Sequence, residues 1–338
     1  MRPGGRWWRP VAALLWLATG TPATGGEVID MAGRHVTVPD QIHRIYAAHD
    51  PPAIFLASLA PDLMVGVPFD RPPGSARFLP PAVNRLPRIR GAGRIDPERL
   101  LALGIDLVVI WNMRGPPDAF AAQMDAIGIP AVMVDAAPFS RYAATFRFLG
   151  ALLHRQARSE VLARALEQAS ARLAGVQAIP GAGRVRVYYA DSADGLRSQC
   201  ATAFRGEVVP LAGGANVLPC RTADSMGASV TVSLERLLLL DPDVIVARSP
   251  AIARFLRADA GWQALRAVRE GRVYAFPDRP FNWVERPHSQ FKLLTVQWLA
   301  QRLYPGRLAF DFAQATRNFY RTFFGMELSD DDLARLRG

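Results

Sequence analysis

Arginine, tryptophan and histidine are the side chains in this 338-residue chain with the most to offer a small ligand. Tryptophan presents flat apolar area, and arginine meets carboxylate or catecholate oxygens with a planar fork. Trp111 and Trp283 each sit where an apolar run gives way to a loop. Arg114 and Arg248 occupy similar positions, and Asn112 and Asn282 accompany them in the same two loops. Each tryptophan equally suits core or lobe packing. Each arginine equally suits a general surface, because the chain has 40 basic residues and only Lys292 among them is lysine. Of five histidines, His49 follows a strand-like run and His288 lies in a late loop, so either could meet a metal already held in a complex. No cluster of His, Cys and carboxylates is spaced to capture a bare ion, so no direct metal site is expected.

Catalytic signatures are missing. The sequence has no Gly-x-Ser-x-Gly elbow, no HExxH and no GxxxxGK[ST] phosphate loop. GAGRID at 91–96 lacks the third glycine of a dinucleotide fingerprint, and GAGRVR at 181–186 leads into a strand. An exported hydrolase is the alternative class, and a binding protein without enzymatic activity is the expectation. The formal charge of +10 arises from arginines spread along the chain rather than in runs, so a nucleic-acid partner is not expected.

The elements that must position these residues are legible as alternating apolar runs and helical stretches. Strand-like runs fall at 44–48, 64–68, 106–111 and 131–135, with helix-like stretches at 52–60, 97–103 and 117–127 between them. A second series follows at 185–190, 243–247 and 273–276. Val/Ile/Leu-rich strands alternating with helices predict βαβ units on a largely parallel sheet. Ligands of such sheets bind beyond the C-terminal strand ends, where His49, Trp111, Asn112, Arg114, Arg248, Asn282 and Trp283 cluster. Between the two series, Tyr142, Phe146, Leu149, Leu153, Leu162, Leu166 and Leu173 recur at helical spacing. No glycine or proline interrupts 151–173, and the whole stretch of about 35 residues predicts one helix about 50 Å long. The fold class read from this pattern is α/β: two Rossmann-like lobes bridged by a long α-helix, with the ligand cleft between them. The divisions are an N-terminal lobe at 26–140, the bridging helix at 141–178, and a C-terminal lobe with closing helices at 179–338.

Residues 1–25 read as a cleaved signal peptide. Arg2, Arg6 and Arg9 precede the apolar VAALLWLA at 11–18 and the small-residue stretch TGTPATGG. No cysteine lies near that stretch, so export to the periplasm as a free protein rather than a lipoprotein is expected. The only two cysteines, Cys200 and Cys220, would then meet an oxidising compartment. A disulfide closing about 20 residues would contribute about 3 kcal/mol.

An internal repeat links the halves. DPERLLALGIDLVVI at 96–110 and SLERLLLLDPDVIVA at 233–247 share Glu, Arg, Leu, Leu, Leu, Asp and Val at one constant offset. Each opens with an N-cap residue, Asp96 or Ser233, and enters a buried strand. Glu98 and Glu235 thereby occupy the first turn of equivalent helices, where an acid is favoured by the helix dipole. Matched surface acids on duplicated lobes also suit a partner that is itself a two-fold assembly.

Several segments resemble the periplasmic substrate-binding proteins of ABC importers that handle iron–siderophore complexes, haem, cobalamin and related metal chelates. They are VIDMAGRHVTVPDQIHRI, RIDPERLLALGIDLVVI, VSLERLLLLDPDVIVA, GWQALRAVREGRVYAFP and FNWVERPHSQFKLLTVQWLAQRLYP, in that order over residues 28–337. The resemblance implies two α/β lobes joined by a long helix, with limited closure on the ligand. It also implies that Glu98 and Glu235 dock on arginines of the importer's membrane subunits. The expected function is capture of a metal chelate, a ferric siderophore first, and delivery to those subunits. Cobalamin, haem or a small metal complex such as molybdate are the alternatives. No permanent cofactor is expected, the iron or cobalt being cargo, and the protein is expected to be monomeric.

Overall fold

The computed structural model describes residues 25–90, 95–113, 119–219, 229–284 and 288–337. Nearly all of the predicted signal peptide, Arg114 and Cys220 lie outside the described residues. Three strands pair in parallel in the first lobe, Ile45–Ala47, Leu107–Trp111 and Ala131–Val134, in that spatial order. The second lobe repeats the arrangement with Arg186–Ala190, Val244–Ala247 and Val273–Ala275. Its sheet is extended by Ala215–Asn216 in parallel and by Arg197–Gln199 and Ser229–Thr231 antiparallel. An N-terminal hairpin, Gly25–Ile29 with His35–Pro39, is tied to the first lobe by buried Asp30, which accepts the Met133 amide at 3.0 Å.

Both central strands are apolar because both faces are covered. Leu107, Val108, Val109 and Ile110 are all 0% exposed, as are all four residues of Val244–Ala247. Their side chains alternate between two cores. Ile45, Leu107, Val109, Val132 and Val134 face a core that also takes Val187, Tyr189, Val244 and Val246 from the second lobe. The opposite faces close separate cores in each lobe, Tyr46, Val108 and Ile110 in one and Tyr188, Ile245 and Ala247 in the other. One continuous core thus runs through both lobes, and it includes the C-terminal helices Phe291–Leu303 and Phe312–Phe324.

The connecting segment departs from the sequence expectation. The single long helix is instead two main helices, Tyr142–Leu152 and Gln156–Ala171, followed by the short Ala174–Gln177. The chain turns at His154, which adopts φ 54°, a left-handed conformation that ends a helix without glycine. The two helices pack side by side. Arg147 reaches from the first to Glu160 at 2.8 Å and Glu167 at 2.6 Å on the second. Gly150 permits the approach, since a Cβ there would lie 2.0 Å from Ser159 Oγ. Sixteen residues span about 24 Å, so the brace is half as long as one helix would be and twice as thick.

The internal repeat is structural as well as sequential. In the first lobe Arg44 Nε donates to the Leu103 carbonyl at the end of helix Pro97–Ala102, and Asp106 accepts the Arg44 amide at 2.8 Å. In the second, Arg186 donates to the Leu240 and Asp241 carbonyls at the end of helix Leu234–Leu240, and Asp243 accepts the Arg186 amide at 2.8 Å. Equivalent arginine–aspartate clamps therefore fasten equivalent helices to equivalent strands.

Candidate ligand-binding site

Three rings from three separate segments meet where the lobes adjoin. Trp111 ends the central strand of the first lobe and is half-buried. Phe204, from the second lobe, stands edge-on to it at 5.9 Å between centroids, and the His288 ring lies 5.6 Å away. Phe204 and His288 touch each other edge-on at 4.2 Å, and the Arg205 guanidinium lies 4.7 Å from the Phe204 centroid.

The polar atoms of this cluster are unusual. His288 is only 3% exposed, yet among the described residues its ring nitrogens make no well-formed hydrogen bond, the Val284 backbone being the one partner within reach. Trp111 Nε1 is likewise buried with no partner among the described residues. A buried donor or acceptor left unpaired costs about 1–3 kcal/mol, so such groups call for a reason. Burial first, and then the charges of Lys292 and Arg205, hold the His288 imidazole well below its ordinary pKa, against a small opposing effect of the Val284 backbone. The ring is therefore neutral at pH 7 and carries a lone pair.

Below the rings, Lys292 is fully buried and donates to the Phe204 carbonyl at 2.7 Å and to Glu207. Glu207 in turn accepts the Phe139 amide of the first-lobe side at 3.0 Å. The Lys292 ammonium also lies 5.6 Å from the Tyr142 ring centroid. This lysine and glutamate anchor the segment that carries Phe204 and join it to the facing lobe.

Each lobe sets an arginine on a buried aspartate at its strand ends. Asp135, 1% exposed, accepts from Arg141 Nε at 2.7 Å and from Asn112 Nδ2 at 2.9 Å. Asp191, 4% exposed, pairs with Arg248 at 3.5 Å and Arg197 at 3.6 Å and accepts from Gln199 at 2.7 Å. A buried carboxylate fixes one edge of a guanidinium and so orients the rest of it.

Sequence-predicted residues fall into distinct groups. His49 immediately precedes the helix Asp50–Leu59, at its N-cap position but without a side-chain cap bond, and its Nδ1 accepts the Trp111 amide at 3.3 Å. His49, Trp111 and Asn112 thus form one group at the first lobe's strand ends. Arg248 and Asn282 form another, because Asn282 Nδ2 donates to the Arg248 carbonyl at 2.7 Å while its Oδ1 accepts the Val284 amide at 3.0 Å. Trp283 is a correction: it is 0% exposed, packs on Phe291 and Phe312, and donates its Nε1–H to the Arg279 carbonyl. It turns inward because the bond from Asn282 to Arg248 fixes the loop with the neighbouring ring facing the core. Cys200 is 1% exposed and is not a free thiol. Glu98 and Glu235 are exposed on the first turns of their helices, after the N-caps Asp96 and Ser233. The Ser233 hydroxyl holds the Glu235 carboxyl below the usual range.

Phe204, Arg205, Glu207, Arg141 and Lys292 were not foreseen as site residues. Lys292 alone carried a signal, as the single lysine of an arginine-rich chain: a compact ammonium fits a buried site that a guanidinium would overfill. Among the described residues no three His, Cys, Asp or Glu side chains gather to hold a metal ion, and no helix is long and apolar enough to cross a membrane. Cavities of about 370 and 360 Å³ open beside Trp298 and Arg302, away from the ring cluster.

Duplicated α/β lobes on a shared helical core, with a ring cluster and anchored arginines where they adjoin, define a two-lobed binding protein. The sequence profile of the periplasmic binding protein family matches residues 51–280, and the chain belongs to that family. It is similar to the molybdate-binding protein MolA of Haemophilus influenzae, at 24% identity over 91% of this chain and 93% of that protein. The vitamin B12-binding protein of Vibrio cholerae is 28% identical over 62% of this chain and 72% of its own length. Among solved structures, an ABC transporter solute binding protein from Sulfurospirillum deleyianum superimposes with a TM-score of 0.81 at 30% identity, covering 92% of this chain and 98% of that one.

Proposed function

We propose that this protein is the periplasmic receptor of an ABC importer, that it holds an anionic metal complex between its lobes, and that a ferric siderophore is the first candidate. The observation that carries this reading is the ring cluster. Trp111 and Phe204 offer flat apolar surface at the lobe junction, the buried Trp111 Nε1–H lacks a partner among the described residues, and the His288 imidazole has no well-formed hydrogen bond there. Arg141 and Arg248, each set on a buried aspartate, supply the cationic groups an anionic complex needs. The metal is cargo, and its coordination sphere comes largely from the complex itself. His49 and His288 are the imidazoles nearest to where it would lie.

A second reading, a small oxyanion such as molybdate, is favoured by one observation: the similarity to MolA extends over 91% of this chain, against 62% for the vitamin B12-binding protein. Export by a cleaved leader at 1–25, a Cys200–Cys220 disulfide, a monomeric state and docking through Glu98 and Glu235 complete the proposal. Melting curves of the mature protein with ferric siderophores, cobalamin, haem and molybdate test it. A ligand that stabilises the wild type and fails to stabilise Trp111→Ala supports the reading, and equal stabilisation of both would remove the site from the ring cluster.

A further inference from the structure

We propose that the surface meeting the importer has an apolar half, made of Leu101 on the first lobe and Leu238 with Leu239 on the second, and that these leucines hold the complex together once the glutamates have aligned it. The inference rests on the reading that Glu98 and Glu235 dock on two membrane subunits. Helices Pro97–Ala102 and Leu234–Leu240 are equivalent in the two lobes, down to the clamps that fasten them. Their inward residues, Leu100 and Leu237, are both 0% exposed and explain themselves as core. The next position along is leucine in both lobes and points outward, with Leu101 50% and Leu238 41% exposed. Leu239 follows at 80% exposed, where the first lobe has Ala102.

Spacing places these leucines beside the acids. Leu101 lies three residues after Glu98, and Leu238 and Leu239 lie three and four after Glu235, so each set shares one helix face with its glutamate. Scattered exposed leucines are ordinary on protein surfaces. These are concentrated. Of seven large apolar side chains exposed among the described residues, three fall on these two helices, which are only 6 and 7 residues long. The first-turn acids are explained by the helix dipole alone, but nothing among the described residues uses the leucines.

The occupant is a pair of membrane subunits related by a two-fold axis and presenting cations beside apolar side chains. A repeated acid-and-leucine face is what such a partner would meet twice. The two halves are unequal, since Leu239 enlarges the second-lobe patch, and the second lobe is therefore the tighter attachment. Exposed charges mainly set the encounter rate and its salt dependence, whereas buried apolar contacts set how long a complex lasts.

Binding of the fluorescently labelled mature protein to spheroplasts of its own host, followed in association and dissociation, tests this. Leu238→Ser with Leu239→Ser should speed dissociation about tenfold or more at any salt concentration, and Leu101→Ser by less. Glu98→Arg with Glu235→Arg should slow association, most strongly at low salt. Val161→Ser, at a side chain 53% exposed elsewhere, should change neither rate. If the glutamate variants weaken binding and the leucine variants leave dissociation unchanged, the apolar half is refuted and the docking reading stands. If neither set weakens binding of a protein that does bind, both fall.

Discussion

Replacing Lys292 by methionine should destabilise the protein by about 3 kcal/mol, although only one ion pair is removed. Lys292 is 0% exposed and the Glu207 side chain 14%, so the lost cation leaves a carboxylate in a site where water reaches it poorly. The Phe139 amide at 3.0 Å remains as one donor and does not neutralise the charge. For a chain of this length, unfolding entropy of about 2.1 cal/mol/K per residue gives about 0.7 kcal/mol/K, so the melting temperature should fall by about 4 °C. Glu207→Gln should cost a similar amount, because it strands the ammonium instead. The double variant removes both charges and keeps an acceptor for the Phe139 amide, and should recover to within about 1 kcal/mol of wild type. Urea denaturation of the four proteins gives the coupling directly. A Lys292→Met protein as stable as wild type, or a double variant as unstable as the two single costs added together, would refute the argument that these charges form a buried, mutually dependent pair.

Phe204→Ala should weaken the ligand about 30-fold or more through loss of one aromatic wall, as measured by titration calorimetry. His288 makes stability depend on pH: its folded pKa lies well below the ordinary 6.5, so the unfolded chain binds the extra proton and stability falls as the pH drops below about 6.5. His288→Phe should remove its share of that loss, as read from denaturation curves taken at about pH 7.5 and 5.5. Gly150→Ala should destabilise by about 1–3 kcal/mol despite alanine's better helix propensity, because the new Cβ meets Ser159 Oγ at 2.0 Å, and thermal melts will show the sign.

The parts of the fold visible in the sequence are those set by local periodicity. The apolar runs at 106–111 and 243–247 became central strands because both faces of each are covered, and such strands announce themselves by unbroken Val, Ile and Leu. The repeated Glu-Arg-Leu-Leu segments led to equivalent helices because each repeat carries its own cap, core leucine and strand-anchoring aspartate. The break at His154 was hidden, since no glycine or proline marks it and the left-handed turn follows from packing Gly150 against Ser159. Trp283 and Trp111 look alike as loop-edge tryptophans. Only the tertiary structure sends one into the core and the other to the lobe junction. Phe204 and His288 lie far apart in sequence, and nothing local to either marks their meeting over Trp111.

Native mass spectrometry of the mature protein purified from the periplasm of its own host, read beside its visible absorption and metal content, tests the central claim most directly. The account predicts a one-to-one adduct that contains a metal and is lost in Trp111→Ala. A protein that carries no adduct, ignores ferric siderophores, cobalamin, haem and molybdate alike, and turns over an ester or a phosphate would contradict it.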